Sequence, residues 1–293
     1  MITKKKSTGR YLVAGLVCFF GITLLLMILL GASALRERAK GPEPVPSGPE
    51  ATTAPTTQPT EPEPTAPPTP QERVEAFAAE HGYTLADYPE KLVLLLGKEP
   101  ASEEFVLNYP LEYGKDHAID ISGHVNDAGV PLFIQWDKQW GYKDYVGNIA
   151  GLSGCGPTCL SMVKFHFSRN PKMHPAYMMD FAQSNKAYAN ENVATQWALF
   201  GQGAKELGLQ VTELTGEQIR SEKMIADVLA SGKVIVVHVG PGVFTELGHY
   251  MVIWGYEDGA FRINDPNSPT NSAKLWEFEV FANQIKMMWA FSE

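Results

Sequence analysis

Residues Leu152 to Phe167 read Leu-Ser-Gly-Cys-Gly-Pro-Thr-Cys-Leu-Ser-Met-Val-Lys-Phe-His-Phe and put Cys155 at the mouth of a helix. Glycines flank the cysteine, and Pro157 suits a first turn in which its missing N–H has no intrahelical acceptor to lose. Leu160, Val163, Phe165 and Phe167 supply the apolar residues a domain interior can hold. The unpaired N–H groups and the positive end of the helix dipole then face the sulfur, and both favour the thiolate, the form that attacks a carbonyl. A cysteine at a helix start is, taken alone, a weak sign of catalysis. A base, a group that orients the base and a donor for an oxyanion must come from elsewhere in the chain.

Outward from this helix, short apolar runs alternate with turns. Val130 to Ile134 reads as a strand ending at Gln135, and Pro175 to Ala182, Thr195 to Leu207 and Ser221 to Ala230 read as helices, the last closed by Gly232. Val234 to Val239, His249 to Tyr256 and Phe261 to Ile263 are rich in β-branched and aromatic residues, and Glu257-Asp258-Gly259 between the last two signals a hairpin. The expected fold class is therefore α+β, helices packed on an antiparallel sheet. A hairpin turning at Asp258-Gly259 sets His249, at the start of one arm, near Asp265, just past the end of the other. In that placement His249 takes the proton of Cys155, and Asp265 fixes the tautomer and stabilises the imidazolium. Gln135, 20 residues before Cys155, is the candidate oxyanion donor, together with the backbone N–H of Cys155.

Other residues read more plainly. Cys159 shares a helix face with Cys155 at a spacing too wide for an unstrained disulfide and is expected to be a small buried hydrophobe. Cys155, Cys159, Met162 and His166 form a stripe of metal-ligating types, but helical spacing of this kind is far more often core, so no metal and no cofactor are expected. His238, inside Val-Ile-Val-Val-His-Val, reads as a strand residue. Trp136, Trp140 and Tyr142 either line a cleft or pack beneath a loop.

Four stretches in order, Val-Pro-Leu-Phe-Ile-Gln-Trp-Asp-Lys-Gln-Trp-Gly, Gly-Cys-Gly-Pro-Thr-Cys-Leu, Gly-His-Tyr-Met-Val-Ile-Trp-Gly-Tyr and Asn-Asp-Pro-Asn, resemble the papain-like cysteine peptidases related to the bacteriocin-processing, double-glycine-leader peptidases. The resemblance covers about residues 120–290. It implies a papain-like fold and peptide-bond hydrolysis, with Gln135 as oxyanion residue, Cys155 as nucleophile, His249 as base and Asp265 as orienter. Such leader peptidases sit on ATP-driven transporters. No ATP-binding module is recognisable in this chain, which argues against a double-glycine leader as substrate.

The first quarter of the 293 residues differs in kind. Residues 1–40 carry a net charge of +6 and the remainder −15, against −9 overall. From Tyr11 to Leu30 no residue is charged, a length that spans a bilayer core of ~30 Å. Lys4, Lys5, Lys6 and Arg10 precede it, so residues 1–10 are expected in the cytoplasm, 11–35 as a signal anchor, and the rest outside. A cleaved signal peptide ending at Ala32-Ser33-Ala34 is the alternative, although its apolar core is longer than such peptides use. Residues 36–69 read as a Pro/Thr-rich linker, and 11 of the 21 prolines fall between Gly41 and Pro70. Thr69-Pro70-Gln71-Glu72 is a capping box that opens a helical appendage over 70–117, ahead of a peptidase domain over 118–293.

Three cysteines, one of them Cys18 in the apolar run, exclude a disulfide framework, and an acidic domain argues against a nucleic-acid partner. The expected function is a membrane-anchored, extracytoplasmic cysteine peptidase that acts on a peptide or protein. The alternatives are an acyl transferase or amidase on cell-wall material, and a non-catalytic peptide-binding domain. Oligomeric state is not legible in the sequence.

Overall fold

The computed structural model describes residues 66–293. The expected cytoplasmic segment, membrane span and all but the last residues of the linker lie outside the described residues. Among the described residues no helix is long and apolar enough to cross a membrane.

Helix α1 (Pro70–Glu80) starts as its sequence demands. The Glu72 amide donates to Thr69 Oγ1 at 3.2 Å, and the Glu72 carboxylate accepts from the Thr69 amide at 2.7 Å. Helices α2 (Glu90–Lys98) and α3 (Glu103–Leu107) follow. Val74, Ala78, Leu92, Leu95, Leu96, Phe105 and Val106 from these helices bury themselves with Trp136, Tyr142 and Ile149, so the appendage and the region around Gln135 share one core.

Helix α4 (Cys155–Ser168) is buried on nearly all sides, from Gly156 through Val163 and again at Phe165. It packs against α5 (Pro175–Gln183) and one face of a six-stranded antiparallel sheet. The strands are β1 (Gln210–Leu214), β2 (Val234–Val239), β3 (His249–Glu257), β4 (Ala260–Asn264), β5 (Leu275–Trp276) and β6 (Ile285–Ser292), in the spatial order β1-β6-β2-β3-β4-β5. Val234, Val236, Tyr250, Val252, Trp289 and Phe291 face α4. Their neighbours Ile235, Val237, Met251, Ile253, Met288 and Ala290 form a second core with Ile225 of α6 (Glu222–Ala230) and with Phe278 and Phe281. Both faces are covered, which is why these strands read as continuous apolar runs rather than alternating ones. The β3–β4 hairpin turns where expected, with positive φ of 52° at Asp258 and 78° at Gly259, the pair of left-handed residues a two-residue turn requires.

The structure departs from the sequence reading at three places. Val130 to Ile134 is extended but joins no sheet: Pro131 has no N–H to give a ladder, and the carbonyls of Val130 and Pro131 accept instead from the side-chain amide of Asn264, each at 3.1 Å. Thr195 to Leu207 is helical only from Ala198 to Glu206: Ala194–Thr195 pairs with Ala189–Asn190, and the helix is wound as a π-helix over Leu199–Gly203, which contains two glycines, before it tightens to α-helix over Ala204–Glu206. Strands β1 and β6 carry no early signal. β6 is rich in methionine and aromatics, holds one β-branched residue, Ile285, and yet lies between β1 and β2.

Candidate active site

Cys155 is the first residue of α4. Gly154 before it offers no side chain to cap the helix, so no side-chain cap takes up the leading N–H groups. The sulfur is half-exposed and lines an open cleft of about 720 Å³, together with Lys91, Ser153, Val193, Trp197 and Leu247. Gly156 cannot be any other residue without displacement, because a Cβ there would lie 2.5 Å from Thr195 Cγ2 and 2.6 Å from its hydroxyl. Thr195 is itself fixed, its carbonyl accepting from Tyr250 at 3.2 Å and its hydroxyl bonded to Tyr145 at 3.0 Å. Gly156→Ala should therefore cost about 1–3 kcal/mol as overpacking. A urea melt would show it as a lower midpoint with unchanged slope.

His249 opens β3 and Asp265 follows the end of β4. Val252 lies opposite Asn264, which leaves Asp265 just beyond the ladder and within reach of a ring three residues upstream. His249 Nε2 is 2.7 Å from Asp265 Oδ1, and both residues are buried. With Nε2 taken, Nδ1 is the nitrogen left for the Cys155 thiol, whose presence beside the ring favours the imidazolium. Burial alone would lower the basicity of this imidazole. The Asp265 carboxylate, its hydrogen bond and the contact with Cys155 outweigh burial and raise it well above the ordinary histidine value. Burial would raise the Asp265 carboxyl in turn, but the charge and hydrogen bond of His249, with donors from Asn271 and Asn267, hold it below the usual range.

The turn Asn264-Asp265-Pro266-Asn267 organises more than the aspartate. Asp265 Oδ1 accepts from the Asn267 amide at 2.9 Å and Oδ2 from Asn271 Nδ2 at 2.8 Å. The Pro266 carbonyl accepts from the Gln135 amide at 2.7 Å, and the Asn267 carbonyl from Trp136 Nε1 at 3.0 Å. Gln135 is thus held by its backbone to the residue after Asp265. Its side chain, 4% exposed, donates from Nε2 to the Gly151 carbonyl at 2.9 Å, while Oε1 has no partner among the described residues. One N–H of the amide is committed to Gly151 and the second is not. Gln135 makes no hydrogen bond to Cys155, His249 or Asp265.

Cys159 is fully buried, and burial pushes its thiol well above the ordinary cysteine range, the charges of Cys155 and Asp265 adding to the effect. Trp136, Trp140 and Tyr142 are packing residues, the last two bonded to the carbonyls of Ile134 and Phe105. Among the described residues no group of three or more His, Cys, Asp or Glu side chains is placed to hold a metal ion.

The sequence reading missed the wall of the cleft. Trp197 Nε1 donates to His238 Nδ1 at 3.0 Å, and the His238 ring stacks on Tyr250 with centroids 4.6 Å apart. Burial, then the nearby charges of His249 and Lys286, push His238 down to about 4, so it stays neutral with its proton on Nε2. A polar ring inside an otherwise β-branched strand was the available signal.

The described residues thus set a cysteine at a helix N-terminus and a buried histidine–aspartate couple on an α+β scaffold. A family model, the C39-like peptidases, matches residues 128–291, more than half of the chain, and the chain belongs to that family. Among solved structures, the peptidase domain of Streptococcus ComA, a bi-functional ABC transporter involved in quorum sensing, is 22% identical over 55% of this chain and 96% of that one, with a TM-score of 0.39. A C39-like peptidase from Bacillus anthracis is 16% identical over 61% of this chain and 98% of its own, with a TM-score of 0.38. No curated protein sequence matches the chain.

Proposed function

We propose that the protein is a cysteine peptidase that hydrolyses peptide bonds through Cys155, His249, Asp265 and Gln135. The observation that carries this reading is the 2.7 Å bond from Asp265 to His249 Nε2, which leaves the other ring nitrogen for a cysteine at the mouth of α4. His249 Nδ1 takes the thiol proton, and the sulfur attacks the carbonyl carbon, forming the S–C bond while the carbonyl electrons move onto oxygen. The backbone N–H of Cys155 and the uncommitted N–H of Gln135 stabilise that oxyanion. Its collapse breaks the C–N bond, and the leaving amine receives the proton from His249. Water then attacks the thioester carbonyl and gives a proton to His249, the C–S bond breaks to release the acid, and His249 returns the proton to the Cys155 sulfur. Asp265 stabilises the imidazolium throughout without taking the proton.

Gln135→Ala should lower kcat by roughly 10²–10³-fold with little change in KM, since an oxyanion donor acts mainly in the transition state. Steady-state kinetics on a cleaved peptide would show it. The charge pattern of residues 1–40 supports an anchored protein with this domain outside the membrane, reached through the Pro/Thr-rich linker. The deciding experiment is incubation of the full chain with a peptide library, with and without amine acceptors, followed by product mass. Free acids support hydrolysis, amide products would mark an acyl transferase, and no Cys155-dependent product would leave a binding domain.

A further inference from the structure

The family match begins at residue 128, so the helical segment before it stands outside what the family accounts for. That segment nevertheless reaches the site at three points. Lys91 of α2 lines the cleft of Cys155. Phe105 of α3 fills the space a side chain at Gly151 would need, its Cζ 2.5 Å from where that Cβ would be, and Gly151 is the residue whose carbonyl holds Gln135. The third point is Glu99, just after α2. Its carboxylate accepts from the hydroxyls of Ser268 and of Thr270, the latter at 3.3 Å.

Glu99 is 5% exposed and makes no salt bridge among the described residues. An unpaired carboxylate is costly to bury unless its oxygens are satisfied, and here two hydroxyls of one turn satisfy them. That turn carries Asp265. The bond to Glu99 fixes the Ser268 hydroxyl, whose oxygen also accepts from the Asn271 amide at 3.1 Å. Its carbonyl accepts from Ser272 Oγ at 2.9 Å. Asn271 Nδ2 then donates to Asp265 Oδ2 at 2.8 Å, and Ser272 Oγ accepts from the Asp265 amide at 2.8 Å. A continuous set of hydrogen bonds therefore runs from the appendage through residues 268–272 to Asp265 and on to His249. The Lys98–Glu246 pair, 2.8 Å across the surface, ties the same helix to the loop before His249, although an exposed pair of this kind contributes little by itself.

We infer that the appendage over residues 70–117 supports the active site and that Glu99 is a positioning residue, holding the 268–272 turn so that Asp265 meets His249. The inference rests on the peptidase reading above, and it assigns the appendage a role in aligning the base.

Alkylation of Cys155 by iodoacetamide tests it without a substrate. The full chain and its Glu99→Ala, Glu99→Gln, Ser268→Ala and His249→Ala variants are compared between pH 6 and pH 10, with peptide mass mapping to read Cys155 separately from Cys18 and Cys159. Circular dichroism reports whether each variant is folded. At pH 6, where a thiol ionises only with help, Glu99→Ala should react about tenfold more slowly than the wild type, and Glu99→Gln, which keeps one acceptor oxygen, should fall between them. At pH 10 all folded forms should agree within about twofold, because ionisation no longer needs the imidazolium. A loss that is merely structural would not vanish at high pH. Should Glu99→Ala fail to fold, Ser268→Ala removes the same bond from its other end and is expected to show the same loss. Wild-type rates at pH 6 in the Glu99 and Ser268 variants, alongside a loss in His249→Ala, would overturn the inference and leave the Cys155–His249 pair standing. An unchanged rate in His249→Ala would overturn both.

Discussion

Replacing Cys155 by alanine is expected to reduce peptide hydrolysis by ~10⁴-fold or more, essentially to background, while leaving the protein folded. The two halves of that expectation have separate causes. The sulfur is the atom that forms the covalent bond in the proposed route, and no other thiol among the described residues can replace it: Cys159 is enclosed by core residues, and burial holds it in the unreactive form. The fold survives because Cys155 is half-exposed at the first position of α4, so removing one sulfur opens no sealed cavity, and alanine is the best helix former. Serine at the same place keeps the shape but must lose a proton from a far weaker acid, so it should be nearly as inactive. Mass-resolved peptide cleavage together with a thermal melt would check both halves. An alanine variant that cuts as fast as the wild type would remove Cys155 from the mechanism.

How much of this was legible in the sequence follows from how local each signal was. The His249–Asp265 couple is 16 residues apart in the chain and is joined by a hairpin whose turn, Asp258-Gly259, announces itself, so the geometry of two strands implies the contact. The start of α4 was equally local, set by Gly154, Cys155 and Pro157. Gln135 was legible as a residue but not in its setting. It sits after an extended segment that a side chain from β4, Asn264, holds in place of a neighbouring strand, and period-two apolar patterning does not distinguish the two cases. β6 failed for a related reason: it is buried on both faces in the middle of the sheet, so methionine and tryptophan fill space there that β-branched residues would mark more clearly. Glu99 had no local signal, since the hydroxyls it binds lie 169 and 171 residues away and a glutamate after a helix reads as surface.

Asp265→Asn gives the second large effect, and its sign is fixed by the direction of the shift it removes. In the wild type the carboxylate raises His249 above the ordinary imidazole value, so the ring stays protonated through neutral pH and loses its proton only well into the alkaline range. If activity needs the imidazolium beside the thiolate, the alkaline limb of the pH–rate profile tracks that loss. Asparagine can still hold the ring by a hydrogen bond, but it supplies no charge, and burial, no longer opposed by the carboxylate, pulls the imidazole down. The alkaline limb should therefore move to lower pH by at least about one unit, with kcat at pH 8 reduced roughly tenfold or more. Stability follows the same linkage. A histidine raised by folding contributes fully below its unfolded value of ~6.5, and that contribution fades as pH climbs through the raised native value. A carboxylate lowered by folding contributes above its unfolded value of ~3.9, and that contribution fades as the solution is acidified. The pair thus stabilises most between about pH 4 and 6.5, and the wild type should exceed Asp265→Asn in urea midpoint by more at pH 5.5 than at pH 10. A gap that widened towards pH 10 would mean that His249 is neutral in the native protein, and the charge-based account of the couple would have to be given up.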